Sequence, residues 1–392
     1  MRARGGSYTL GGYFSAFVGL GLTAASVGPT LPSLAAIADV RLAQIGLLLF
    51  ARSFGEMIGC LVSGSIVDRG YERSLLALSI LLLTTCLAMV PFSRSLLLLA
   101  TVFWTLGAAQ GAVHTGINTL LVWKHPHRAH SLLSVLHFMF AAGMVVAPLI
   151  IAWLLPIRAD GLSIYWVLAI ALVPVALWLA TSTPSSSTPV SIQSAQSRPL
   201  PRVALVWAIG MFFFYVGAEI NVGAWLYTYA SQAAQFAPAT AAYLVATFWG
   251  AFMLGRLLAI FASAVISPFQ YVCGGLLTGL ASAVGIVMFA PQAGPGFWIS
   301  IAALGVSMAA VFPQAFAMVS KALGMSGRRA ATLLVAGSFG GMLLPWLTGQ
   351  LMESISPHSL PIMVGISMIL AFIAFFGVRH TASLSHAGTP DN

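Results

Sequence analysis

Residues 96–123 read LLLLATVFWTLGAAQGAVHTGINTLLVW, with no Asp, Glu, Lys or Arg among them. A helix crosses the hydrocarbon core of a bilayer with roughly 20 apolar residues. This stretch is long enough to do so, and His114 is its only ionisable group. The same reading extends in both directions. Apolar runs cover approximately residues 10–34, 43–67, 74–92, 96–123, 131–155, 162–180, 203–229, 239–262, 268–290, 297–320, 330–352 and 360–378. Gly and Pro inside them suit membrane helices, where neighbouring helices re-satisfy the freed backbone groups. Charged residues are 6% of the chain and apolar residues 59%. Soluble domains carry about a quarter charged residues, so this chain could not cover a soluble surface. The run from Leu10 to Leu31 follows Arg2 and Arg4 but is too long for a signal-peptide core, and more spans follow it. The sequence predicts an all-α polytopic membrane protein with twelve spans.

The basic residues fix a direction. With the N-terminus in the cytoplasm, one set of loops holds Arg2, Arg4, Arg69, Arg73, Lys124, Arg128, Arg198, Arg202, Lys321, Arg328, Arg329 and Arg379, twelve in all, and the other holds only Arg41, Arg94 and Arg158. That asymmetry predicts both termini in the cytoplasm. It explains the net charge of +9 without a nucleic-acid partner. The expected location is a cell membrane, the bacterial inner membrane first.

Between the sixth and seventh runs lies TSTPSSSTPVSIQSAQSRPLPR, residues 181–202. Ser, Thr and Pro make it a flexible, partly extended linker. It divides the chain into an N-terminal six-helix bundle, residues 1–180, and a C-terminal one with a short cytoplasmic tail, residues 203–392. The halves look related. Phe17-Val18-Gly19 has its counterpart in Tyr215-Val216-Gly217, and Leu106-Gly107 with Ala112-Val113 in Leu304-Gly305 with Ala310-Val311; both offsets, 216 − 18 and 305 − 107, are 198. Gly143 and Pro148 match Gly340 and Pro345 at an offset of 197 (345 − 148). Near-constant offsets across three helix pairs imply two parallel repeats about an axis normal to the membrane.

The loop after the second run, Gly64-Ser-Ile-Val-Asp68-Arg69-Gly-Tyr-Glu-Arg73, resembles the major facilitator loop motif G-x-L-A-D-R-x-G-R-K. Gly64, Asp68, Arg69 and Arg73 fall on motif positions, whereas Tyr71 and Glu72 depart from it. Residues 107–118 are similar to the fourth helix of the fucose-permease-like branch, G-x-x-x-G-x-x-D-x-G-x-N, with His114 in place of the usual Asp. Residues 131–137 with Gly143 and Pro148, Phe214-Tyr215-Val-Gly217-Ala-Glu219 with Trp225 and Tyr229, Phe248-Trp249-Gly250 with Gly255-Arg256, Phe312-Pro313 and Gly337-Ser-Phe-Gly340 extend the likeness along the chain. The resemblance implies a major facilitator fold of two pseudo-symmetric six-helix bundles. It also implies alternating access, a cavity lined by the first, fourth, seventh and tenth spans, and a loop that latches the cytoplasmic side. A sugar or polyol is the implied solute.

Ionisable residues inside a membrane are expensive and are functional candidates by default. Here they are Arg52, Glu56, His114, His137, Glu219 and Arg256. Glu219 stands some ten residues before Tyr229, about 15 Å from the end of its helix. A lone carboxylate in low dielectric favours its neutral form unless a cation or several donors face it, which makes Glu219 the candidate coupling residue. Asn221, Trp225, Tyr229, Tyr215 and Phe312 are candidate solute contacts, with Tyr13, Phe14 and Trp104 as further aromatic faces. His114, with Asn118 at i+4, could relay a proton or tie two helices together, and His137 is expected to pack. Arg52 and Glu56, also i and i+4, could pair with each other, or Arg52 could face an anionic solute. Arg256 is expected to brace a gate together with Gly64, Asp68, Arg69 and Arg73.

Cys60, Cys86 and Cys273 have no metal-binding spacing and read as small buried hydrophobes. No P-loop, GxSxG or HExxH appears. The sequence therefore predicts no enzyme, no cofactor and no metal, but a monomeric secondary transporter coupled to protons. An exporter of an anionic or amphiphilic metabolite or drug is the alternative. It is weakened because Ile150 and Ile151 occupy the last Gly positions of the antiporter pattern in the fifth span. A membrane receptor that binds without turnover is the third reading.

Overall fold

The protein is described by a computed structural model covering residues 2–181, 202–262, 265–323 and 327–387. The linker between the halves thus lies almost wholly outside the described residues. Twelve helices among them are long and apolar enough to cross a membrane: Thr9–Ile37, Leu42–Asp68, Glu72–Phe92, Leu96–Lys124, Ser131–Leu154, Ser163–Thr181, Val203–Gln232, Pro238–Ala262, Pro268–Gln292, Pro295–Ser320, Ala331–Ser354 and Ser359–Thr381. The described residues contain no strand.

Packing divides them into two units. The first holds the first six spans together with Phe236–Trp249, and the second holds the seventh span and the chain from Gly250 onward. Within each unit, helix pairs meet backbone to backbone. In the first, a Cβ added to Gly55 would lie 1.9 Å from the Trp104 carbonyl oxygen, and one on Gly107 would lie 2.0 Å from that of Arg52. Gly59 and Gly111 repeat the contact one turn along, against Ala108 and Glu56. Only glycine allows such an approach, and in a bilayer close packing of this kind is a main source of helix association. The first and fifth spans meet the same way at Gly21 and Gly143.

The second unit repeats the scheme. A Cβ added to Gly340 of the eleventh span would lie 1.9 Å from the Phe213 carbonyl oxygen of the seventh, and one on Gly255 of the eighth would lie 2.9 Å from that of Val306 of the tenth. Gly143 and Gly340, matched by sequence offset, do equivalent work: each receives a carbonyl from the first helix of its own unit.

The tenth span departs from its sequence reading as one continuous helix. It is built of Pro295–Met308 and Val311–Leu323, with Ala309 and Ala310 in a turn between them. One cause is local. Pro313 has no N–H to give the Ala309 carbonyl four residues back.

The backbone contacts give a stability prediction. Overpacking costs about 1–3 kcal/mol, and about 2–4 °C of melting temperature follows each kcal/mol in a larger domain. Gly111→Leu should lower the midpoint of thermal unfolding in detergent by several degrees. Gly274→Ala, where a Cβ meets nothing within 4 Å, should leave it unchanged. Equal midpoints would show that the contact is not tight.

Candidate functional site

The seventh span carries Tyr215 and Glu219 one turn apart, near the middle of Val203–Gln232. Tyr215 is 1% exposed. Its hydroxyl donates to the Met308 carbonyl at the break in the tenth span, and the Phe312 backbone N–H faces the same hydroxyl. The phenol therefore stands where the helical bond from Phe312 to Met308 would have closed, and a side chain inserted into the ladder is a known cause of a kink. The next freed carbonyl, Ala309, accepts from Arg256 Nε at 3.3 Å. The Arg256 guanidinium also lies 4.7 Å from the centre of the Phe252 ring. Glu219 completes the group: its carboxyl is within reach of the Arg256 charge and in hydrogen-bond reach of the Tyr215 hydroxyl. One carboxyl, one phenol and one guanidinium are thus gathered around two carbonyls that the break leaves to side-chain donors.

Other residues of the same span are committed to packing. Trp225 is fully buried, and its indole Nε1 donates to the Pro345 carbonyl at 2.7 Å. The indole is a strut between the seventh and eleventh spans, and Gly349 leaves room for its ring. Asn221 is buried, with Nδ2 donating to Thr348 Oγ1 at 2.9 Å. The buried Tyr229 hydroxyl is 3.2 Å from His358 Nδ1 and 3.4 Å from the Ile286 carbonyl. The cavity beside Tyr229, walled by Val222, Leu226, Leu304 and Val364, has room for little more than a water molecule. Phe312 packs edge-on to Phe212 at 5.3 Å and stacks on Phe316 at 5.9 Å.

In the first unit the glycine contact between the second and fourth spans sets two i, i+4 pairs side by side. Arg52 Nε donates to Gln110 Oε1 at 2.9 Å, and Gln110 Nε2 to the Leu20 carbonyl at 3.4 Å. Arg52 does not take Glu56 as its partner, so the self-neutralising pair does not form: the fourth span offers a nearer acceptor. Glu56 instead acts by charge on His114. His114 stacks on Phe17 of the first span, centroids 5.3 Å apart, with the His137 ring at 5.9 Å. Asn118 spends its amide on the His114 carbonyl at 2.7 Å. Gln110 and the helix break were not anticipated from sequence. A buried Gln one turn before His114 and the Phe312-Pro313 dipeptide were their only traces.

At the loop, Gly70 turns the chain at φ +81°. Asp68 and Arg69 are exposed, and Gly64 has nothing within 4 Å of an added Cβ. Arg73 Nε donates to the Ala180 carbonyl, tying the loop to the end of the sixth span. Glu72, which departs from the motif, is buried at the start of the third span, where its charge acts on Lys124 and Tyr13. Lys124 Nζ in turn donates to the Tyr13 hydroxyl at 3.3 Å.

Comparison with known proteins agrees with this architecture. The family described as the Major Facilitator Superfamily matches residues 10–331. The sodium-dependent glucose transporter 1A of Mus musculus is 26% identical over 375 residues, 86% of this chain and 88% of that protein. The glucose/galactose transporter of Brucella abortus is 26% identical over 371 residues, 89% of this chain and 88% of that protein. Among solved structures, the E. coli fucose:proton symporter superposes with a TM-score of 0.64 at 17% identity, covering 95% of this chain and 98% of the other.

The strut at Trp225 can be checked directly. Trp225→Phe removes the bond between the indole and the Pro345 carbonyl, a loss of about 0.5–1.5 kcal/mol. Thermal unfolding of the variant should show that loss, and an unchanged midpoint would mean that the indole is not a support.

Proposed function

Because the chain belongs to the major facilitator superfamily, we propose that it moves a neutral sugar across the membrane by alternating access, driven by protons that bind at Glu219. That it is a membrane transporter and not an enzyme follows from the family and its twelve spans. The sugar is supported by relatives named for glucose and galactose that align over most of their length. Cytoplasmic termini are supported by the twelve-to-three asymmetry of basic loop residues.

The coupling reading is carried by one observation: Tyr215 has a single hydrogen to give, and Met308 and Glu219 both lie within its reach. A phenol donates once. While Glu219 holds a proton, its own O–H can donate to the Tyr215 oxygen, and the Tyr215 hydrogen stays on the Met308 carbonyl. Once Glu219 is ionised it accepts only. It then competes with Met308 for the Tyr215 hydrogen and with Ala309 for Arg256. The arrival of a proton at Glu219 therefore favours one way of holding the tenth span, and its departure favours another. Two discrete arrangements biased by a bound ion are what a coupled transporter needs.

The mouse relative's name raises sodium as the alternative ion. The carbonyls freed at the helix break are the natural ligands for such an ion, but here they accept from Tyr215 and Arg256, which favours the proton.

Glu219→Gln fixes the neutral, proton-loaded form. In proteoliposomes the variant should still exchange labelled D-glucose across the membrane, but should lose accumulation driven by a pH gradient. Retained accumulation would remove Glu219 from coupling. Wild-type uptake that follows a sodium gradient and ignores the pH gradient would overturn the proton reading.

A further inference from the structure

Arg52 is the unfinished group in the first unit. Its Nε–H is taken by Gln110, and Gln110, only 3% exposed, is itself tied to the Leu20 carbonyl. The guanidinium plane is thus held from behind. Among the described residues nothing accepts from its two terminal amino groups, which leaves four N–H donors free. Glu56, one turn along the same helix, makes no hydrogen bond among the described residues, and its charge acts on His114 and Cys60. Both side chains are partly exposed. An unpaired guanidinium and an unpaired carboxylate at membrane depth are each costly. A site that keeps both apart has ligand atoms still to receive.

We propose that Arg52 and Glu56, with Gln110 fixing the guanidinium, form a subsite for two neighbouring hydroxyls of a neutral sugar. The inference rests on the transport reading above and specifies what the first unit contributes to it. The chemistry selects the ligand class. The free edge of a guanidinium presents parallel donors that suit two adjacent oxygens. A carboxylate offers only acceptors. A hydroxyl is the group that satisfies both at once, accepting from Arg52 and donating to Glu56. An anionic solute would meet Arg52 but also the Glu56 charge, and a cationic one would meet the reverse. The pair sums to zero charge, so a neutral polyol enters without leaving a net charge behind. This replaces the anion-binding role that Arg52 alone suggested.

The test compares wild type, Arg52→Lys and Glu56→Gln in proteoliposomes, using D-glucose, its monodeoxy analogues and D-glucuronate. In wild type, one or two deoxy analogues should bind about tenfold more weakly than glucose. Lys cannot present the parallel pair, so Arg52→Lys should raise the KM for glucose by a similar factor. In that variant the sensitive analogue should lose nothing further, because the partner of the missing hydroxyl is already gone. Glu56→Gln should make D-glucuronate a competitor, which it is not in wild type. If Arg52→Lys does not fold, the wild-type analogue series and the Glu56→Gln competition decide. A wild-type protein that moves no hexose would defeat the transport reading itself. Hexose uptake with a flat analogue series, additive losses in Arg52→Lys, or no glucuronate competition in Glu56→Gln would defeat this inference alone.

Discussion

Backbone contact at glycines, each facing a carbonyl of the neighbouring helix, is the constraint on which the rest depends. Lipid tails are as apolar as leucine side chains, so hydrophobic burial does little to hold one membrane helix against another. At Gly55 and Gly59 of the second span and Gly107 and Gly111 of the fourth, the carbonyl of a non-glycine residue on the facing helix (Trp104, Ala108, Arg52 and Glu56) sits where a side chain would have been. The four-residue spacing on both helices fixes their register as well as their distance. That register sets Arg52 beside Gln110 and leaves Glu56 to act on His114. Polar groups four residues apart on each helix are thereby arrayed in step.

The second unit uses the same contacts to a different end. Gly255 brings the eighth span against the tenth near its break, and Arg256, the next residue, reaches the Ala309 carbonyl. Gly340 brings the eleventh span against the seventh, and the Trp225–Pro345 bond reinforces that pair. The seventh span is thus held firmly along one side, while Tyr215 and Glu219 are applied to a helix that has already given up bonds of its own. A rigid support facing a locally weakened element is the arrangement that the proposed coupling at Glu219 calls for, because it would confine movement to the break.

The fold was legible because a charge-free run of membrane length leaves few alternatives, and the observed spans end within a few residues of the runs read from sequence. The halves' relationship was legible too: Gly143 and Gly340, matched by offset, do equivalent packing work. The site was less legible, because its decisive contacts cross between helices far apart in sequence. Nothing near residue 308 announces that Tyr215 will enter its hydrogen-bond ladder. Spacing suggested that Arg52 would pair with Glu56, but spacing along one helix says nothing about Gln110 on another. Trp225 had the aromatic face of a sugar contact, yet its N–H is given to the Pro345 carbonyl of the eleventh span.

The central claim is that a sugar and a proton move together. The direct measurement is the pH change outside proteoliposomes, lightly buffered and free of sodium, when D-glucose is added. The account predicts a saturable alkalinisation that tracks glucose entry and is abolished by a protonophore. Glucose entry with no pH change, or entry that requires sodium, would contradict it.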